Sequence, residues 1–229
     1  MGGNAPRNSP TTRARNNILP PLTTRDREIL EVLTLRVRLL TAPQIARTWW
    51  SGENAGKGAA RRLRDLETLG MLERFTVYAH PELPLSGPVY CWTPGDLAPN
   101  FGALSYRLTS RWKEAHRPAP AVIATKAAAN YFGGHGAKRP KRVEENHDVH
   151  QAAVFLALRA QSPDLVRTWR AEAAIRRSRP DAPGEKLPDA IITVNGSEKI
   201  IDFGGSYSAA KLEGFHEWAE QRGTAYELW

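Results

Sequence analysis

Between Lys57 and Gly70 the apolar residues Ala59, Leu63, Leu66 and Leu69 recur at i, i+4, i+7 and i+10, and a glycine follows directly. That spacing suits one structure, a helix that buries a single stripe, and Gly70 stands where a helix-ending glycine belongs. At about 100° per residue, Lys57, Arg61, Arg64 and Thr68 fall on the face opposite the stripe. The segment therefore needs a core on one side and presents cations on the other.

Two shorter helices are expected before it. Thr23 or Thr24 is placed to cap the first, with Asp26 and Glu28 in its opening turn and Ile29, Leu30, Leu33 and Val37 at helical spacing. Thr41 caps the second, which contains Gln44, Ile45 and Ala46 and ends near Trp49-Trp50. Past Gly70, residues 71–78 read as a strand, 80–88 as a proline-rich turn and 89–93 as a second strand. Three helices followed by a hairpin is the order of a winged helix-turn-helix, whose last helix enters the major groove, where arginine forks reach guanine edges. Lys57, Arg61, Arg62 and Arg64 are the candidate DNA-binding residues on that helix. A merely solvated charged face is the competing reading, and the element order favours DNA.

Net charge supports a polyanionic partner. The 229 residues carry 32 Lys+Arg and 24 Asp+Glu, a formal +8. Residues 1–22 hold +3, 23–97 hold +1, 98–146 hold +6 and 147–229 hold −2. The surplus thus lies in an N-terminal stretch that reads as a disordered basic arm (1–22) and in a basic linker with partial helix (98–146, around 101–114 and 121–131). Arg139, Lys141 and Arg142 in that linker are candidates for salt-sensitive backbone contacts. At 41% hydrophobic and 24% charged the composition is that of a folded protein. No apolar run suits a transmembrane helix or a signal peptide, so a cytoplasmic protein without a membrane partner is expected. The single cysteine, Cys91, excludes a disulfide framework.

The remaining segment, 147–229, reads as helix (147–161), extended chain (165–175), a hairpin of strands 190–194 and 199–203, helix (208–222) and a last strand (224–229). Asn195-Gly196 between the two apolar runs is the hairpin signal. Three carboxylates, Glu172, Asp189 and Asp202, stand at strand ends. Acids converging at a sheet rim suit Mg²⁺, which takes oxygen ligands and activates water toward a phosphodiester. Lys211, a turn into the next helix, is placed to stabilise phosphate charge. Glu172, Asp189 and Asp202 are the candidate metal ligands and, with Lys211, the candidate catalytic residues.

Pro188-Asp189, with Asp202 ending the next strand, resembles the core of the PD-(D/E)XK nuclease superfamily, and Glu172 matches its upstream acid. The chain departs at Asp202-Phe203-Gly204, where glycine stands in the lysine's place, leaving Lys211 as a migrated candidate. Together with Leu22-Thr-x-Arg-Asp26, Arg61-Arg62-Leu63-x-x-Leu66-Glu67-x-x-Gly70 and the His147 helix, the arrangement resembles the replication-relaxation family of plasmid and mobile-element proteins. The resemblance spans about residues 22–222. It implies an α+β protein, a winged helix-turn-helix at 23–97 and a small restriction-endonuclease-like domain at 147–229. It also implies duplex DNA as partner, in plasmid replication or mobilisation, with a second copy of the chain or a replication or conjugation protein as further candidates. Two classes of function follow: a Mg²⁺-dependent nuclease or nickase, and a non-catalytic DNA-binding regulator or adaptor whose nuclease-like domain dimerises or docks partners.

Other motifs carry less. Gly52-x-x-x-Gly56-Lys57 is too short for a phosphate-binding loop and has no strand before it. His147 and His150 lack an obvious third metal ligand. Trp49 and Trp50 read as core, and Cys91 as inert.

Overall fold

A computed structural model describes residues 22–134, 138–178 and 187–229. The expected basic arm lies outside them, apart from Leu22. The chain is a mixed α+β fold with two sheets.

Helix α1 (Thr24–Leu35) begins at a capping box, in which the Thr23 hydroxyl accepts the Asp26 amide while the Asp26 carboxylate accepts the Thr23 amide. Strand β1 (Leu40–Thr41) runs into α2 (Ala42–Trp49), where Thr41 and Gln44 form a second capping box. Helix α3 (Ala55–Thr68) buries Ala59, Leu63 and Leu66 of the expected stripe, while Leu69 is the half-buried C-cap residue beyond the helix. Gly70 follows in the left-handed region at φ 70°.

Strand β2 (Leu72–Ala79) comes next, but the expected hairpin does not form. The 89–93 segment yields β3 (Tyr90–Trp92), which pairs with the last strand of the chain instead of with β2. Trp92 explains the preference, since it is buried, stacks on Tyr226 at 5.6 Å and meets His216 edge-on at 5.0 Å. After α4 (Phe101–Thr109) the chain returns as β4 (Arg117–Ala124), which pairs with β2 along all eight residues. The first sheet therefore has the order β1-β4-β2. Residues 121–124, expected as helix, end this strand, and the helix α5 (Lys126–Phe132) begins after them. Pro118 and Pro120 disguise the strand in the sequence. They lie beyond the reach of β1, which pairs only with Ala121 and Val122, so β4 has a free side there that tolerates a missing N–H.

Helix α6 (Arg142–Gln161) is longer than expected and buried on nearly every side. Its Val149 packs with Leu39 and with Val77, Ala121 and Ile123 of the first sheet, while Phe155, Leu156 and Leu158 belong to a core that also contains Leu30, Leu63, Trp169 and Ile201. The core therefore runs from the N-terminal helices to the second sheet. Side-chain ties reinforce it: Trp169 donates to the Arg36 carbonyl at 2.8 Å and Gln44 to the Val149 carbonyl at 2.9 Å.

Of the expected extended stretch 165–175 only β5 (Arg170–Ala171) is strand. A 3-10 turn (Leu165–Thr168) precedes it and helix α7 (Glu172–Ser178) follows. Strands β6 (Ala190–Val194) and β7 (Ser197–Asp202) form the expected hairpin, with Asn195 and Gly196 both at positive φ (50° and 83°). Helix α8 (Ala209–Glu220) and strand β8 (Ala225–Leu228) complete the second sheet, of order β3-β8-β7-β6-β5. Here β5, β6 and β7 are antiparallel neighbours and β8 lies parallel to β7. Residues 98–146, expected as a linker, thus contribute a helix packed on α8, the central strand of the first sheet and the start of α6.

Candidate functional site

Two regions hold the residues singled out from sequence. The first is the outer face of α3. Lys57, Arg61 and Arg64 are exposed there, and among the described residues none of the three pairs with a carboxylate. Arg62 is different. Its guanidinium forks onto Asp26, with Nε 2.8 Å from Oδ1 and Nη2 2.6 Å from Oδ2. Asp26 is fully buried and also accepts from the Thr23 amide and hydroxyl, each at 2.7 Å. Burial alone would raise the Asp26 pKa, but the donors from Arg62 and Thr23 outweigh it and hold the carboxyl below its usual value. Arg62 therefore locks α3 to the start of α1 and is not available to a groove.

The linker cations lie beside β2. Arg139 pairs with Glu73 and sits 5.3 Å from the Phe75 ring, and Arg142 lies 3.8 Å from the ring of Tyr78. Lys141 is exposed at the N-cap of α6.

The second region is the corner where β6 begins and β7 ends. Ala190 pairs with Ile201, which makes Asp189 and Asp202 neighbours across the strands. Glu172 lines the same cleft as Asp189 and its amide bonds the Asp189 carbonyl at 3.0 Å, while its half-exposed side chain pairs with Arg176 one turn along α7 at 2.6 Å. Lys211 lies with Nζ 3.4 Å from the Tyr207 ring centroid. The Tyr207 hydroxyl hydrogen-bonds Asp202, and burial together with Asp202 and Asp189 raises its pKa, keeping it protonated. At Gly204, where a lysine would complete the nuclease pattern, an added Cβ would stand 2.8 Å from Cδ1 of Leu108, itself fully buried.

His147 takes a place at this corner that sequence reasoning did not give it. Its Nε2 donates to Asp189 Oδ1 at 2.9 Å, and Asp189 Oδ2 accepts the Phe203 amide at 2.8 Å. One turn further along α6, Gln151 donates to the Asp189 carbonyl at 2.9 Å. The i, i+4 spacing of His147 and Gln151 put them on one helix face, but nothing in the sequence tied that face to Asp189. Burial opposes protonation of His147, yet Asp189, with help from Asp202 and Asp148, carries its pKa up to about 9, so the ring is cationic at neutral pH. Asp148 pairs with Arg38 at 3.2 Å. These groups line a half-open cleft of about 350 Å³ between the end of α1, α6 and α7, with Arg38, Lys138 and Arg176 among its walls.

Around the three expected metal ligands, Asp189 accepts from His147 and from the Phe203 amide, Asp202 is buried beside Tyr207, and the Glu172 side chain pairs with Arg176. Among the described residues no three His, Cys, Asp or Glu side chains form a metal-ligand group. His150, the other histidine of α6, is fully buried with Nδ1 2.8 Å from the Asn146 carbonyl, and burial, with Arg111 and His80 adding to it, pushes its pKa down to about 4. Among the described residues no helix is long and apolar enough to cross a membrane. No family model, curated protein or solved structure matches the chain.

Proposed function

We propose that the protein binds duplex DNA through the exposed face of α3, acting as a non-catalytic DNA-binding factor in the replication or mobilisation of a plasmid or other mobile element. The observation that carries the reading is the partition of α3's cations. Arg62 is held by a buried carboxylate, whereas Lys57, Arg61 and Arg64 face solvent and pair with no carboxylate among the described residues. Cations held on a rigid helix without internal partners suit phosphate and base-edge contacts. The order α1–β1–α2–α3–β2, with β4 returning after β3 and α4 to pair with β1 and β2, agrees with a winged helix-turn-helix in which β4 replaces the expected 89–93 strand.

The order α6–β5–α7–β6–β7–α8–β8 agrees in the same way with a restriction-endonuclease-like module. Asp189 and Asp202 adjoin as a nuclease would need. The Glu172 side chain pairs with Arg176 and an added Cβ at Gly204 would crowd Leu108, which favours the non-catalytic reading. Fluorescence anisotropy with a short mixed-sequence duplex tests the proposal. Arg61→Ala/Arg64→Ala is expected to lose about tenfold or more in affinity for each arginine, while Asp189→Asn leaves it unchanged. Full affinity in the arginine variant would overturn the reading, and nicking of supercoiled DNA that depends on Asp189 and Asp202 would overturn its non-catalytic part.

A further inference from the structure

Two successive tryptophans each carry an arginine, and the two arginines differ in what else they meet. Arg159 lies 4.9 Å from the Trp49 ring centroid and pairs with Glu28 at 2.9 Å. Arg25 lies 4.4 Å from the Trp50 ring centroid, is exposed, and pairs with no carboxylate among the described residues. Asp26 and Asp65 both sit on Arg62, at 2.6 and 3.8 Å. Nor does α1 itself call for a cation in its first turn, where the helix dipole favours acids. Trp50 is seated in turn on α3. A Cβ added at Gly58 would stand 2.9 Å from the indole Cδ1 and Nε1, so the ring packs where a glycine leaves room. Gly58 and Arg62 are one turn apart on α3, and the adjoining row of that helix is Lys57 and Arg61. Asp26, the neighbour of Arg25, is bound to Arg62, so Arg25 borders the row of exposed cations.

We propose that Arg25 is a fixed phosphate contact at the border of the DNA-binding face, with Trp50 as the residue that positions it. This contact rests on the α3 reading and adds to it the backbone that flanks the groove. An aromatic ring offers a guanidinium no oxygen, so its N–H fork stays open to a phosphate, which accepts two donors at once. An arginine already held on a ring also gives up less side-chain freedom on binding than one that moves in water. Among the described residues Lys57, Arg61 and Arg64 have no such ring, which makes Arg25 the pre-set member of the group.

The test is fluorescence anisotropy of the full-length chain with a short mixed-sequence duplex over a range of salt, paired with thermal melts. Arg25→Ala should melt like wild type, bind about fivefold more weakly, and reduce the salt slope by about one. Arg25→Lys, which keeps the charge but not the fork, should retain the slope and recover part of the affinity. Trp50→Leu should weaken binding about two- to threefold while Arg25 is present and add nothing to Arg25→Ala, because its effect passes through that side chain. If Trp50→Leu does not fold, Gly58→Ala displaces the indole in the same comparison. Wild-type affinity and slope in Arg25→Ala, beside a weakened Arg61→Ala/Arg64→Ala, would overturn the proposal and leave the α3 reading standing. Wild-type binding by the Arg61→Ala/Arg64→Ala variant as well would overturn both. A Trp50 effect of equal size with and without Arg25 would overturn the positioning role.

Discussion

Replacing Arg62 with alanine separates a locking residue from a reading one. The guanidinium makes two short bonds to a carboxylate with no solvent exposure, while its own side chain is 21% exposed. Breaking a buried charge pair by removing one partner costs about 3–5 kcal/mol, because the other charge stays buried. Asp26 keeps both Thr23 donors, so the loss belongs at the lower end, about 3 kcal/mol. For a chain of this length that lowers the melting temperature by about 6–12 °C. Arg61→Ala, on the exposed face, should change stability by less than about 0.5 kcal/mol. The pH dependence offers a second check. Because the folded Asp26 pKa is lowered, its contribution is complete above the ordinary carboxylate range and lost only as pH falls through the lowered value. In Arg62→Ala burial is less fully offset, so the folded pKa moves back up and this acid-dependent loss shrinks. Thermal melts by circular dichroism, paired with anisotropy on duplex DNA, read both properties. If Arg62→Ala melts like wild type yet loses DNA as Arg61→Ala does, the lock is refuted and Arg62 belongs to the groove.

Three further outcomes follow from particular contacts. His150 falls from 6.5 to about 4 on folding, so the native state binds fewer protons, and about 3 kcal/mol of stability present above pH 6.5 is lost as pH falls to 4. Asp148, raised to about 6 chiefly by burial, slopes the opposite way from 3.8 to 6, so the check is the difference between the acid melts of wild type and His150→Phe, in which only the histidine slope disappears. Gly204→Lys, which restores the nuclease pattern on paper, should destabilise by about 1–3 kcal/mol through collision with Leu108 and yield no nicking in a supercoiled-plasmid assay. Thr41→Ala removes the hydroxyl that caps α2 through Gln44 and should cost about 1 kcal/mol in chemical denaturation without altering DNA affinity.

Local signals in the sequence led to local structure. Two threonines with an acid or amide three residues on became capping boxes, the 59–66 stripe became the buried face of α3, and Asn195-Gly196 became a hairpin. Long-range pairing was not legible. Strand β4 carries two prolines that read as linker, and β3 leaves its sequence neighbour for Tyr226 because Trp92 finds aromatic partners there. The site followed the same division. The exposed arginines of α3 could be assigned by angle, but which one turns onto Asp26 depends on how α1 and α3 meet, a contact spanning 36 residues of sequence. His147 on Asp189 spans 42, and no spacing rule reaches that far.

The central claim is that exposed cations of α3 hold duplex DNA, and the salt dependence of binding tests it most directly. The logarithm of the association constant falls with the logarithm of salt at a slope set by the number of phosphates neutralised. For Lys57→Ala/Arg61→Ala/Arg64→Ala the slope should shrink by about one for each lost side chain that meets a phosphate, along with a loss of affinity at every salt concentration. Arg62→Ala should retain the wild-type slope wherever it is folded. An unchanged slope and affinity in the triple variant would contradict the account and place the DNA contact, if there is one, elsewhere on the protein.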